Sequence, residues 1–443
     1  MGQTLKSVGL DVGTTSTQLV VSELTVVNQA GSFAVPELEI TQRRICYKSP
    51  VHFTPLLRDK LVDGDKLRQI VESEYHQAGI TKAQIDTGAV IITGETSRKE
   101  NARQVLDSLS DFAGDFVVAT AGPDLESILA AKGAGAVEHS EKTGKTILHM
   151  DIGGGTSNLT RIEAGKIAAT GCLNVGGRLV KLNPDWTLSY VSPVLEGLFS
   201  GKVGDRVTQR DLENLADLLV QALEMAAGLR QPTDLLRKLW TEEIPFRPLA
   251  TFENCTISFS GGVADCIETA HPPLSFGDLG PILGQAIHRS GLCAGDYRLG
   301  TETIRATVIG TGCHSAQLSG STVFCRNVEF PLKNLPVVEQ VDSLSRLDCP
   351  GVLALPGIES AEYGQIAALA EELTDQWADN PLYIALDRDM AMALGQQLAL
   401  RMPPNTPILC IDRVRLKSGD FLDVGHPIGP AFPVVIKTLV LGN

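Results

Sequence analysis

Two short stretches of this chain place an aspartate at the end of an apolar run, immediately before a turn of glycine and hydroxyl residues. In the first, Val8, Leu10 and Val12 alternate with Gly9 and Asp11, and the turn is Gly13-Thr14-Thr15-Ser16. In the second, Leu148, Met150 and Ile152 alternate with His149 and Asp151, and the turn is Gly153-Gly154-Gly155-Thr156-Ser157. Alternation of this kind is the period of a strand. A second apolar run follows each turn, at 19–24 and at 159–162, so each unit reads as a hairpin with a hydroxyl-rich tip. Finding one hairpin design twice, 140 positions apart, predicts two lobes built on one plan whose tips face each other across a cleft.

Such tips suit a triphosphate. Backbone N–H groups and hydroxyls supply donors, and glycine removes the Cβ that would keep a phosphate away. Asp11 and Asp151, at their strand ends, are the candidate metal ligands, holding Mg²⁺ through its retained waters rather than in a full protein cage. An aspartate can also simply cap its own tight turn, and a single hairpin favours that simpler role; the matched pair favours the metal. Gly13, Thr14, Thr15 and Ser16 in the first tip, and Gly153, Gly154, Gly155, Thr156 and Ser157 in the second, are the candidate phosphate-binding residues. Gly261 and Gly262 follow the apolar run Thr256-Ile257-Ser258-Phe259 and would let backbone lie flat against adenine or ribose. No P-loop and no dinucleotide-binding glycine fingerprint opening a helix is present.

The elements expected to carry these tips alternate between strand and helix. After the first hairpin the sequence predicts an irregular stretch to Asp63, a helix over 64–78, a buried strand over 89–92, a helix over 98–110, a strand over 116–118 and a small-residue helix over 125–136. In the second half it predicts strands within 146–173, a helix after Gly176-Gly177, helices over 211–228 and 233–239, and a strand over 256–259. A further strand is expected over 304–309, ending at Gly310-Thr311-Gly312. Past Ser321, strands at 352–355, 382–386 and 408–411 alternate with helices over 360–378 and 389–401. A hairpin turn at 417–420 and a closing strand over 434–441 complete the chain. The expected fold is α/β: lobes over 1–140 and 141–320, then a C-terminal α/β domain over 321–443 without a catalytic constellation, structural or partner-binding in role.

Composition bounds the function. At 443 residues with 43% hydrophobic and 20% charged residues, the chain has material for two or three domains with sizeable cores. A net charge of −14 without a dense Lys/Arg cluster argues against nucleic acid as a partner. The absence of an apolar run long enough to span a bilayer, and of signal-like order in residues 1–7, leads us to expect a cytoplasmic protein with no membrane partner. The 9 cysteines form no CxxC pair, so buried free thiols are expected rather than structural zinc or disulfides. The 8 histidines lack metal-ligand spacing and are expected to do no chemistry.

The stretch from Val8 to Ser16 resembles the first phosphate motif of the actin, Hsp70 and sugar-kinase superfamily. The stretch from Met150 to Ser157 resembles the second, and Ser258-Phe259-Ser260-Gly261-Gly262-Val263 the adenosine motif. The superfamily pattern covers residues 1–320 and implies a two-lobed actin-like ATPase of duplicated, ribonuclease H-like lobes binding ATP and Mg²⁺. The whole chain is more narrowly similar to the ethanolamine ammonia-lyase reactivating factor family, through Ile92-Thr93-Gly94-Glu95-Thr96-Ser97-Arg98-Lys99-Glu100-Asn101-Ala102, Phe259-Ser260-Gly261-Gly262-Val263-Ala264-Asp265 and Pro433-Val434-Val435-Ile436-Lys437-Thr438-Leu439. That resemblance implies release of damaged cobalamin from inactivated ethanolamine ammonia-lyase, driven by ATP with Mg²⁺, so that intact adenosylcobalamin can bind. It also implies a bacterial cytoplasm and association with an ethanolamine-utilisation microcompartment.

Hsp70-type second motifs carry an acid where this chain has Asn158, so no second metal- or water-positioning carboxylate of that kind is carried over. Asp124 stands where Hsp70 relatives carry a catalytic-site glutamate and is the third catalytic candidate, although an aspartate after Gly-Pro is also an ordinary helix cap. Fold alone does not separate a reactivase from a small-molecule kinase or a nucleotide-regulated, actin-like assembly protein. A kinase would need a carboxylate base beside an acceptor hydroxyl, and no clear candidate stands out.

Overall fold

The apolar runs around Asp11 and Asp151 each become the central strand of a sheet. The computed structural model describes residues 3–13, 16–30, 38–57, 61–92, 117–120, 123–241, 255–314, 317–320, 322–344, 347, 349–358, 362–377, 381–418, 420–427, 429 and 431–438. In the first sheet β1 (Gln3–Val12), β2 (Ser16–Asn28) and β3 (Leu38–Lys48) form an antiparallel meander, and β4 (His52–Phe53) pairs with the start of β2. After α1 (Gly64–Gln77), strands β5 (Thr87–Ile92) and β6 (Val117–Thr120) add in parallel beside β1. The order is β3-β2-β1-β5-β6.

Two helices, α2 (Pro123–Gly133) and α3 (Ala136–Thr143), lead to the second sheet. Here β7 (Thr146–Ile152), β8 (Ser157–Glu163) and β9 (Lys166–Leu173) form the same meander. After the short strands β10 (Val180–Leu182) and β11 (Leu188–Val191) and helix α4 (Gln209–Ala226), β12 (Cys255–Ser260) adds in parallel to β7. Helix α5 (Gly280–His288) and the short 3₁₀ helix α6 (Gly291–Cys293) precede β13 (Tyr297–Leu299), which is parallel to β12 and gives the order β9-β8-β7-β12-β13. The two sheets therefore share one topology, the duplicated α/β plan expected of an actin-like ATPase.

Each sheet buries its outer face against a helix. Val8, Leu10 and Val12 pack with Leu67, Val71 and Tyr75 of α1, a stripe at four-residue spacing. Asp63 caps that helix, accepting from the Lys66 N–H at 3.1 Å. Leu148, Met150 and Ile152 pack with Leu212, Leu215 and Leu219 of α4, whose start carries a Thr208–Asp211 capping box. Burying one such leucine contributes about 1.5–3 kcal/mol.

The inner faces meet through α2 and α7 (Ala306–His314). Helix α7 lies on β1 and β2 although it follows the second sheet in sequence, α2 lies on β7, β8 and β9 although it precedes them, and the two helices pack against each other. The approach is backbone to backbone. A Cβ on Gly133 would sit 1.8 Å from the Ala306 carbonyl oxygen, one on Gly310 2.0 Å from that of Leu129, and one on Gly9 2.5 Å from the Gly312 nitrogen.

Several expectations are corrected. The strand expected over 304–309 is the helix α7, and Gly310-Thr311-Gly312 is helical rather than a turn; glycine is there because the helix touches backbone on both sides. No helix follows Gly176-Gly177; the chain enters β10 instead. The helix expected over 125–136 is two helices, broken where Gly135 takes φ +74. The stretch before Asp63 contains β3. The helix expected over 98–110 lies outside the described residues. Of the cysteines, all free, Cys46, Cys325 and Cys349 are exposed rather than buried.

The third sheet is also α/β. Strands β16 (Leu332–Val338), β17 (Val352–Leu355), β18 (Leu382–Leu386) and β19 (Ile408–Ile411) run parallel, with α8 (Tyr363–Asp375) and α9 (Ala391–Arg401) as crossovers. Strand β15 (Phe324–Arg326) closes one edge. The hairpin turn expected at 417–420 instead joins strands that are not paired with each other, leading from β19 into β20 (Asp420–Val424), whose hairpin partner is β21 (Pro433–Thr438), with β14 (Gln317–Leu318) beyond it. Val435 packs with Leu5, Leu24, Val26 and Ala89, so this edge of the third sheet is attached to the first.

Candidate functional site

The two hairpin tips close identically. Gly13 N–H donates to the Ser16 carbonyl at 2.9 Å, and Gly153 N–H to the Thr156 carbonyl at 2.9 Å. Asp11 pairs with Gln18 across the first hairpin, and Asp151 with Asn158 across the second. Side chains alternate along a strand, so Asp11 shares its face of β1 with Ser7 and Gly9, the face covered by α7. Asp151 shares the corresponding face of β7 with Ile147, which packs against Ala131 and Ala136.

Both hairpins converge on the segment that starts α7. The Thr303 carbonyl accepts from the Gly261 N–H at 3.1 Å, behind the second tip. The next carbonyl, of Ile304, accepts from the Gln18 side-chain amide at 3.1 Å, in the first hairpin. One turn on, the Thr307 hydroxyl lies beside the Asp151 carboxylate. This joint was invisible in the sequence, where the same residues read as an isolated strand.

Asp151 is buried, with 6% exposure, and removal from water pushes its carboxyl up to about 6; the hydroxyls of Ser260 and Thr307 oppose the shift. Ser260 donates its hydroxyl proton to Asp151. His149 Nε2 stands 2.9 Å from that same hydroxyl and Nδ1 3.1 Å from the Ser258 hydroxyl. Since Ser260 donates toward Asp151, it must accept from His149 Nε2–H, which leaves Nδ1 to accept from Ser258. Burial, with Arg298 nearby, pushes the imidazole down to about 3, so the ring is neutral and its tautomer fixed. His149, expected to do no chemistry, is the back support of the Asp151 carboxylate.

The first tip has a different support. Thr54 donates to the Gly13 carbonyl at 2.8 Å and lies 3.1 Å from the Thr17 hydroxyl. The second tip is held by the loop after β9: Gly177 N–H donates to the Gly153 carbonyl at 3.0 Å and Arg178 N–H to that of Gly154 at 2.6 Å. A Cβ on Gly176 would come within 2.4 Å of the Gly154 carbonyl oxygen, so only glycine lets this loop close. With those carbonyls turned to the loop, the Gly154 and Gly155 N–H groups have no partner among the described residues, and nothing lies within 4 Å of where a Gly155 Cβ would stand. That is a donor-lined concavity of the kind that binds anions.

The remaining candidates are placed less simply. Thr14 and Thr15 lie outside the described residues. The Ser157 hydroxyl donates to the Val175 carbonyl at 2.8 Å and so belongs to the scaffold. Gly261 takes φ +86 and packs against the Ile152 backbone, whereas Gly262 is open, its nearest neighbour the Ile304 side chain at 3.9 Å from a Cβ position. Asp124 is in the first turn of α2.

For a divalent cation the donor set fits a water-retaining mode. Among the described residues no cluster of three or more His, Cys, Asp or Glu side chains could hold a metal outright. Asp11 and Asp151 do stand opposite two buried amide oxygens, Gln18 Oε1 and Asn158 Oδ1, that have no hydrogen-bond partner among the described residues. Such oxygens suit donation from the waters of a hydrated Mg²⁺. Asn158 would thus offer a neutral acceptor at the position where an Hsp70-type motif carries an acid.

The family model for ethanolamine utilisation protein EutA matches residues 3–350 and 346–442. The chain belongs to the EutA family. Two relatives named ethanolamine ammonia-lyase reactivase EutA, from Salmonella typhimurium strain LT2 and Escherichia coli strain K12, are each 36% identical to it over 471 residues, covering 98% of this chain and 98% of theirs. Among solved structures, the PPX-GPPA enzyme of Aquifex aeolicus is similar at 12% identity and a TM-score of 0.42, covering 70% of this chain and 99% of that one. No helix among the described residues of this EutA-family chain is long and apolar enough to cross a membrane.

Proposed function

We propose that this EutA-family protein is an ATP-dependent reactivase of adenosylcobalamin-dependent ethanolamine ammonia-lyase, releasing damaged cobalamin so that intact cofactor can bind. The observation that carries this is the near full-length similarity to two reactivases of that name. The nucleotide half rests on the geometry of the tips, with two matched hairpins, each presenting an aspartate, meeting at one joint.

In this scheme Asp11 and Asp151 hold Mg²⁺ through its waters, with Gln18 and Asn158 as further acceptors, and the cation supplies neutralisation of phosphate charge. Gly13, Ser16 and the N–H groups of Gly154, Gly155 and Thr156 cradle the phosphates, joined by Thr14 and Thr15 of the first tip. Gly262 leaves room for the adenosine. Asp124 stays a candidate for orienting the attacking water. Hydrolysis then needs positioning rather than a covalent intermediate. The proposed division is into lobes over 1–140 and 141–320, with α2 crossing onto the second sheet and α7 back onto the first, and a partner-binding or structural domain over 321–443 whose sheet β14 also joins. Loss of the terminal phosphate changes the contacts at both tips, and the Thr303-to-Thr307 joint passes that change to the crossed helices between the lobes. The third sheet, attached to the first, would move with it and strain the bound lyase. A bacterial cytoplasm, with access to a microcompartment, is the setting in which such a partner is met.

The test adds the purified protein to inactivated ethanolamine ammonia-lyase with free adenosylcobalamin and Mg²⁺, with and without ATP. Recovery of lyase activity only with ATP is expected; no recovery by a preparation that binds ATP would overturn the assignment.

A further inference from the structure

The loop that holds the second tip also carries a cation to it. Arg178 lays its side chain over Gly154, where a Cβ would meet the arginine Cβ, Cγ and Cδ at 3.4–3.5 Å. Its Nε donates to Asp278 Oδ2 at 3.1 Å, and Asp278 is fixed in turn by the Gly280 N–H, which donates to Oδ1 at 2.9 Å. Burial raises the Asp278 carboxyl above its ordinary range, and its backbone bond and Arg178 oppose that. The arginine side chain is 29% exposed, the aspartate 8%. Among the described residues neither Nη group of Arg178 has a partner. A single Nε bond fixes the guanidinium plane while its outer donors stay open, beside the unpartnered N–H groups of Gly154 and Gly155. A purely structural ion pair would more naturally close the fork on both carboxylate oxygens.

We infer that Arg178 is a phosphate-binding residue of the second tip, contacting the polyphosphate of a nucleoside triphosphate through its Nη groups, with Asp278 as its positioning partner. This rests on the nucleotide site proposed above. The chemistry is that of a planar cation meeting phosphate oxygens, which lysine reproduces only as a point charge. It also places positive charge at the turn that follows the acid Asp151.

The test is equilibrium titration of the full-length protein with ATP, ADP and adenosine, in the presence of Mg²⁺, for wild type, Arg178→Ala, Arg178→Lys and Asp278→Asn, with thermal melts to confirm folding. Arg178→Ala should weaken ATP binding about 10- to 100-fold and leave adenosine binding unchanged. Arg178→Lys should recover part of the loss, and Asp278→Asn should weaken ATP by a smaller factor. If Arg178→Ala fails to fold, the Arg178→Lys comparison of ATP with adenosine decides by itself. Equal losses for ATP and adenosine, or no loss for ATP, would overturn the role of Arg178 while leaving the nucleotide site standing. Failure of the wild type to bind any nucleotide would overturn both.

Discussion

The two hairpins share a strand pattern, a closing hydrogen bond and an aspartate-amide pair, yet they are held in different ways. The first tip is supported from the side, by Thr54 on its carbonyl, just past the short strand β4 that carries the exposed Phe53, with Thr17 of β2 beside it. The second is supported from behind and below, by the buried His149-Ser260 chain and by the Gly176-Gly177-Arg178 loop. A duplicated plan therefore fixes where a carboxylate stands but not which residues brace its turn. One strand-and-turn design is thus braced by unrelated residues: a threonine hydroxyl at the first tip, a buried histidine-serine chain and a glycine loop at the second.

The largest expected effect is on hydrolysis. Asp11→Ala and Asp151→Ala should each lower the rate of Mg-ATP hydrolysis by about 1000-fold, on the scale of removing one group that stabilises transferring charge. Unchanged steady-state turnover in both would break the shared role of the pair.

A smaller effect separates Asp151 by pH. Its folded carboxyl titrates at about 6 against an unfolded value of 3.8, so between these the native state binds more protons than the unfolded chain. The Asp151 contribution to the stability of the nucleotide-free protein should be fullest below the unfolded value, fall by up to about 3 kcal/mol as pH rises through 6, and then level off. Asp151→Asn should flatten that slope in urea denaturation across pH 4–8 by roughly the same amount. A slope unchanged by the substitution would show that another group carries it.

Next come the glycines. Gly176→Ala forces a methyl into the Gly154 carbonyl and should cost about 1–3 kcal/mol, with weakened nucleotide binding at the second tip. Gly9→Ala collides with α7 and should cost a similar amount. Equal melting temperatures for wild type and Gly176→Ala would show that the loop closes without glycine. The smallest effect belongs to Thr54→Val, which loses the bond to the Gly13 carbonyl and should cost about 1 kcal/mol, read from the denaturation midpoint.

Much of the sheet architecture could be read in advance because its signals are local. The strands at 352–355, 382–386 and 408–411 are short apolar runs between turn residues, and they form where expected. The segment 304–312 was misread for the opposite reason. An apolar run ending in Gly-Thr-Gly fits a buried strand as well as a helix. What decides is that Gly310 must meet Leu129 and Gly312 must meet Gly9, contacts with residues far away in the chain. His149 and Arg178 were missed likewise, since a lone histidine in a strand and an arginine after two glycines carry no pattern.

The two hairpins, their aspartates and the α/β alternation are written locally, because strand periodicity and turn chemistry are properties of neighbouring residues. That Thr303 to Thr307 joins the tips, that a histidine-serine chain backs Asp151 and that Arg178 reaches Gly154 emerges only in the folded chain. Each of those depends on backbone and side chains brought together from distant parts of the chain, and packing rather than local preference selects them.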